Sequence, residues 1–128
     1  MRTGLPITVA ITVIITIVLI VAYRCAVSSP LLIAPAAARE QIAAGQVDVI
    51  LDVRTELERA TLGYYPGSVH IAGADIDAEF PVRFPARSVR TIVYCNTGQR
   101  ARAAAEKLQR LGYQNVRYIA GGYGTLIS

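Results

Sequence analysis

Hydrophobic positions follow two regimes along the chain. From Leu5 to Tyr23 the run LPITVAITVIITIVLIVAY carries no charge, and at helical rise it extends roughly 28 Å, about the hydrocarbon thickness of a bilayer. Its β-branched residues are poor helix formers in water, but a segment in lipid must satisfy its own backbone, and an isolated one does so only as a helix. One transmembrane helix is therefore expected over residues 5–23, between an N-terminal tail at 1–4 and a linker at 24–30. A cleaved secretory signal is the competing reading. Such signals have an apolar core of about 7 to 15 residues and an A-x-A-like site, whereas this core is longer and has no clear site. Arg24 stands directly before Cys25, where a bacterial lipoprotein signal needs a small residue. Cys25 is read as a bystander thiol beside the membrane, with reversible acylation as the alternative. Arg2 and the α-amino group on one flank oppose Arg24 and Arg39 on the other, so the membrane side of the C-terminal domain stays open.

Beyond residue 30 the apolar positions come in short runs separated by turn residues. A helix is expected from about Ala36 to Ala44, stopped by Gly45, which tolerates the left-handed conformation. Val47 to Val53 is nearly continuous in apolar residues, as in a strand covered on both faces. Thr55, with Glu58 three residues on, reads as a capping box for the short helix ELERA. VHIAGAD gives a short strand and a turn, and IDAEFPVRFPARS a single helical turn limited by its prolines. VRTIVYC is the next strand. In GQRARAAAEKLQRLGY, residues Ala101, Ala104, Ala105, Leu108 and Leu111 share one stripe at period 3.6, which predicts a helix ended by Gly112. VRYIA is a last strand. Strands alternating with helices predict one α/β domain over 31–128 with a mainly parallel sheet, in which ligands sit outside the carboxyl ends of the strands.

Composition narrows the function classes. The chain has 128 residues, 53% of them hydrophobic, and a mean hydropathy of +0.41, which the first helix accounts for. The net charge of +4 includes Arg2 and Arg24; from residue 26 onward 11 basic residues face 9 acidic ones, so no nucleic-acid footprint is expected. Two cysteines far apart make neither a disulfide framework nor a zinc spacing, and no metal is expected. His70, the one histidine, reads as a structural strand residue. Tyr64 and Tyr65, beside Pro66-Gly67, read as caps on the core.

The chemistry concentrates at Cys95. This thiol ends a strand and is followed by a loop that opens a helix, so it faces unpaired main-chain N–H groups and the positive end of the helix dipole. Both favour an anion, and thiolate is the nucleophilic form of cysteine. Gly98 lets the backbone curl around the sulfur, and Arg100 supplies a cation to the loop or to an incoming anion. A cysteine alone would read as a small buried hydrophobe; strand end, Gly98, Arg100 and helix start in register favour a reactive thiol. Asp52 and Arg54 read as a buried pair fixing the strand and the turn after it. Arg102 reads as a solvated helix residue.

The segments LDVRTELERATLGYYPGSVHI, IVYCNTGQRA and LGYQNVRYIAGGY together resemble a single rhodanese module. The marks are Asp52-Val53-Arg54, Pro66-Gly67-Ser68-Val69-His70, Cys95 through Arg100, and Gly121-Gly122. The resemblance implies a three-layer α/β fold, a central parallel sheet flanked by helices, here preceded by one transmembrane helix. It implies that Cys95 takes a sulfane sulfur from a small anionic donor such as thiosulfate. The sulfur is held as a persulfide and passed to cyanide or a thiol. It makes the main-chain amides of Asn96, Thr97, Gly98, Gln99 and Arg100 the substrate-binding groups, and it calls for no metal or organic cofactor. Four residues separate Cys95 from Arg100, the spacing that in this family resembles sulfurtransferases; phosphatase and arsenate-reductase relatives carry one more. Tyr64 stands where many members have His, and the run after Gly122 is short and lacks Trp. These departures keep a non-catalytic binding module at the membrane as the alternative.

Overall fold

The computed structural model describes residues 4, 6–27 and 29–127, in two compact units that divide after Pro30. The first holds a single helix, α1 (Ile7–Val27), of 21 residues. It begins two residues later than the apolar run and continues four residues past it. Its window Ile7–Arg24 has a mean hydropathy of 2.4, and none of it is buried against protein. By length and composition it could cross a bilayer, a test that a signal sequence also passes. Two of its threonines remove their hydroxyls from the surface by bonding back along the helix: Thr12 Oγ1 donates to the Thr8 carbonyl at 2.8 Å and Thr16 Oγ1 to that of Thr12 at 2.9 Å. That back-bonding is how a hydroxyl is tolerated where no water is present. The Cys25 side chain lies outside the described residues.

The second unit is a four-stranded sheet with all pairs parallel, built from β1 (Val49–Asp52), β2 (Val69–His70), β3 (Thr91–Tyr94) and β4 (Val116–Tyr118) in the order β2-β1-β3-β4. Side chains alternate between its faces. Leu51, Val53, Val93 and Cys95 pack in one core with Ile76 and Phe80 of α4 (Ile76–Arg83) and with the predicted stripe Ala101, Ala104, Ala105 and Leu108 of α5 (Gln99–Arg110). Ile92, Tyr94 and Ile119 pack in the other, with Ala38 of α2 (Pro35–Ala43) and Leu126 of α6 (Gly124–Ile127). The expected three layers follow from that alternation. Helix α3 (Glu56–Leu62) buries none of its residues and lies between β1 and β2 in the chain.

One local expectation is corrected, and two further segments gain structure. The segment IDAEFPVR forms an eight-residue helix, not one turn, because Ile76 and Phe80 are fully buried against the sheet and outweigh the lost N–H of Pro81. Leu31–Ile33, at the start of the second unit, joins the sheet. It lies parallel to β4, with Tyr118 N–H donating to the Leu31 carbonyl at 3.0 Å and Ile33 N–H to the Tyr118 carbonyl at 2.9 Å, so it covers a sheet edge. The glycine-rich end carries α6, whose Leu126 is buried.

Chain connections turn around between β1 and β3: from β1 the chain goes outward to β2, then crosses back to β3 and on to β4. In parallel sheets the crevice at such a switch point is where ligands are held. At its carboxyl side stand Asp52, which ends β1, with Val53 just after it, and Tyr94, which ends β3, with Cys95 just after it.

Candidate functional site

Cys95 follows β3 directly and is 1% exposed. The chain then turns through Asn96, Thr97 and Gly98 into α5. The Gly98 N–H donates to Cys95 Sγ at 3.0 Å, and the Ala101 N–H approaches the same sulfur at 3.4 Å. Of the expected amides, Gly98 is the one on the sulfur; the second donor, Ala101, lies one residue past the predicted stretch. Gly98 has φ +103°, and a Cβ there would sit 2.7 Å from the Ala120 Cα. Only glycine fits, for conformation and for space alike. Of the expected substrate-binding residues, Asn96, Thr97, Gln99 and Arg100 are exposed and Gly98 is buried.

Arg100 is engaged by a carboxylate. Its guanidinium holds the Glu58 carboxylate with two bonds, 3.2 and 2.9 Å, and this contact keeps the Glu58 carboxyl below its ordinary range. Thr55 caps α3 by accepting the Glu58 N–H at 3.2 Å, so the first turn of one helix is fastened to the first turn of another. Arg102 pairs with Glu106 at 2.9 Å along its own helix.

On the opposite face of the sheet lies a buried polar cluster. Asp52 accepts from the Arg54 main-chain N–H at 2.9 Å, from its Nε at 3.0 Å and from its Nη2 at 2.8 Å. It accepts further from Arg59 Nη1 at 3.1 Å and the Tyr94 hydroxyl at 2.9 Å. Burial alone would raise the Asp52 pKa, but the Arg54 and Tyr94 bonds outweigh it and hold the carboxyl below the carboxylate range. The bond to Asp52 raises Arg54 in return. Tyr94 is pushed up, first by burial. Arg54, 1% exposed, has two further contacts: Nη2 to the Gly63 carbonyl at 2.6 Å, and Nη1 to Asn96 Oδ1 at 3.3 Å. Through Asn96 the cluster reaches across to the cradle loop. His70 Nε2 donates to the Arg54 carbonyl at 2.7 Å, the structural role expected of it.

The expected pair Asp52–Arg54 is therefore present, but it has more members than the sequence suggested. Arg59 also binds Ser68 through its hydroxyl at 2.9 Å and its carbonyl at 3.1 Å, and lies 3.8 Å from the Tyr64 ring centroid. Tyr65 packs against the core, whereas Tyr64 is half exposed beneath that arginine. Arg59 and Tyr94 carried no local signal; Ser68 was marked only within the Pro66-to-His70 turn, Ala101 only as part of the apolar stripe and Glu58 only as a helix cap.

A sequence profile described as the Rhodanese-like domain matches residues 34–125. Among solved structures, the chain is similar to a rhodanese-related protein of Thermoplasma volcanium, with 29% identity and a TM-score of 0.61 over 74% of this chain and 88% of that one. It is similar to a Rhodopseudomonas palustris protein of unknown function described as a possible tyrosine phosphatase, with 27% identity and a TM-score of 0.62 over 73% and 76%. A human single-domain sulfurtransferase shares the fold at 23% identity and a TM-score of 0.62, over 77% of this chain and 96% of that one.

Proposed function

The chain belongs to the rhodanese-like family, and from that premise we propose that it is a sulfurtransferase working through a persulfide on Cys95, tethered to a membrane by α1. The observation that carries this reading is the convergence of the Gly98 and Ala101 amides on the Cys95 sulfur. Donors fixed in place before reaction lower the cost of placing charge there. In the first half-reaction the Cys95 thiolate attacks the sulfane sulfur of thiosulfate; the S–S bond of thiosulfate breaks and sulfite leaves with its electron pair. In the second, cyanide or a thiolate attacks the outer sulfur of the persulfide, and the Cys95 thiolate departs. This is nucleophilic covalent catalysis, with Asn96, Thr97, Gly98, Gln99 and Arg100 forming the donor-side wall.

Incubation with thiosulfate should add the mass of one sulfur atom to the full-length protein, and subsequent cyanide should remove it as thiocyanate. Cys95→Ser should abolish both. A non-catalytic module would show no mass gain. The phosphatase reading predicts phosphate release from p-nitrophenyl phosphate. It fits less well, because four residues between Cys95 and Arg100 make a narrow loop and Arg100 is already engaged by Glu58.

A further inference from the structure

Beside the cradle runs a groove of about 380 Å³ that the half-reactions above leave unused. One wall is α5, with Arg100, Ala103, Ala104 and Lys107; the other is built from Val53, Thr55 and Ala72 to Ala74. The second wall is tied to the sheet, since the Gly73 N–H donates to the Val53 carbonyl at 3.2 Å. Apart from Thr55 the lining is apolar between two cations. Arg100 and Lys107 stand seven residues apart, about 10 Å along a helix axis. The Arg100 end adjoins the cradle, because the next residue, Ala101, donates to the sulfur. Val53 and Ala104 share a core with Cys95. At the far end Lys107 Nζ is 3.7 Å from Asp77 Oδ1, beyond hydrogen-bond reach, and the Asp77 side chain is 62% exposed. A ligand carboxylate would compete there with a loosely held partner.

Resting on the sulfurtransferase reading, we propose that this groove is the acceptor subsite, and that it takes a thiol with an apolar body and a carboxylate at the end remote from sulfur. The chain lies along Ala103 and Ala104, the carboxylate pairs with Lys107, and the sulfur reaches the cradle at the Arg100 end. The acceptor thiol loses its proton to solvent, and its thiolate attacks the outer sulfur of the Cys95 persulfide. The persulfide S–S bond breaks, and the Cys95 thiolate leaves with the electron pair. The acceptor departs carrying one more sulfur atom.

The test compares 6-mercaptohexanoate with its uncharged analogue 6-mercaptohexanol as acceptors for the thiosulfate-loaded, full-length protein. Wild type should prefer the carboxylate by about two- to fivefold in kcat/KM, the range of an exposed ion pair. Lys107→Glu should remove or reverse that preference. Ala103→Leu, at an exposed position, should raise KM for both thiols by filling the groove. Arg117→Gln, at the opposite end of the sheet, serves as the control that keeps the preference. An unchanged ratio in Lys107→Glu together with an unchanged KM in Ala103→Leu would overturn the proposal. A wild type that gains no sulfur would overturn the sulfurtransferase reading instead. Binding of hexanoate, which has no sulfur, tests the groove separately: it should shift the amide resonances of Gly73, Ala103 and Ala104 in wild type and not in Lys107→Glu. No shift in wild type would also count against the groove.

Discussion

Each end of β1 carries an aspartate held by an arginine, and the two pairs share one geometry. Asp48, just before the strand, accepts from the Arg90 main-chain N–H at 2.9 Å, its Nε at 3.0 Å and its Nη2 at 2.8 Å. Asp52, ending the strand, accepts from the same three groups of Arg54 at the same distances. The side chains of the first pair are 41% and 46% exposed, while those of the second are 0% and 1%. The difference is what surrounds them. Water can take over either partner at Asp48, whereas at Asp52 every bond that is lost leaves a group stranded in the interior, beside the loop that carries Cys95. Identical distances therefore serve different ends: one pair trims a surface, the other fixes the interior behind the Cys95 loop, which it reaches through Asn96.

The strongest way to break this contrast is Asp52→Ala. It strands Arg54 and leaves Arg59 and the Tyr94 hydroxyl without their shared acceptor, and breaking a buried pair from one side costs roughly 3–5 kcal/mol. Denaturant unfolding of the full chain in detergent measures it. The acid limb gives the sign independently. The folded-state pKa of Asp52 is depressed, so its contribution is complete above the unfolded carboxylate value and is lost as pH falls through the folded one. Asp52→Ala should flatten that limb. A loss below about 1 kcal/mol, the scale of an exposed pair, would mean that burial is not what separates the two aspartates.

A smaller cut into the same cluster is Tyr94→Phe. The ring stays, but Asp52 loses a donor and the Tyr65 N–H, 3.1 Å from the hydroxyl, loses its acceptor. About 1–3 kcal/mol is expected for a buried group left unpaired. Because the cluster touches the cradle through Arg54 and Asn96, persulfide formation should slow in Tyr94→Phe as well. Spectrophotometric titration should lose the phenol that ionises above the ordinary tyrosine range.

How far this could be read from sequence depended on the separation of the partners. The stripe on α5, the cap at Thr55 and the curl at Gly98 are local patterns, and each appears where the period or the residue type put it. The Asp52–Arg54 pair was legible because its members are two residues apart. The rest of the cluster was not. Tyr94 and Asp52 meet only because β1 and β3 are in register, and Arg59 and Ser68 come together beside Asp52 only after α3 returns the chain to β2. Arg100 is the clearest case. Its type and position suit an anion at the cradle, yet its guanidinium is held by a carboxylate 42 residues away, a competition invisible until the fold sets both helices side by side. The pairing of Leu31–Ile33 with β4 was hidden for the same reason.

The least disruptive change sharpens the contrast most. Asp48→Asn removes a carboxylate whose pKa Arg90 lowers to about 2, a larger titration signature than most surface groups have. If pKa displacement alone measured worth, this variant should be costly. Solvent argues otherwise: Arg90 freed of Asp48 remains hydrated, so the substitution should leave Tm at neutral pH within measuring error. The wild-type pair should also fade in about 1 M salt, where charges are screened within about 3 Å, while the Asp52 cluster, closed to ions, keeps its contribution. A fall in Tm for Asp48→Asn matching that of Tyr94→Phe would show that the start of β1 is held as firmly as its end, and that three shared distances, not burial, set the strength of both pairs.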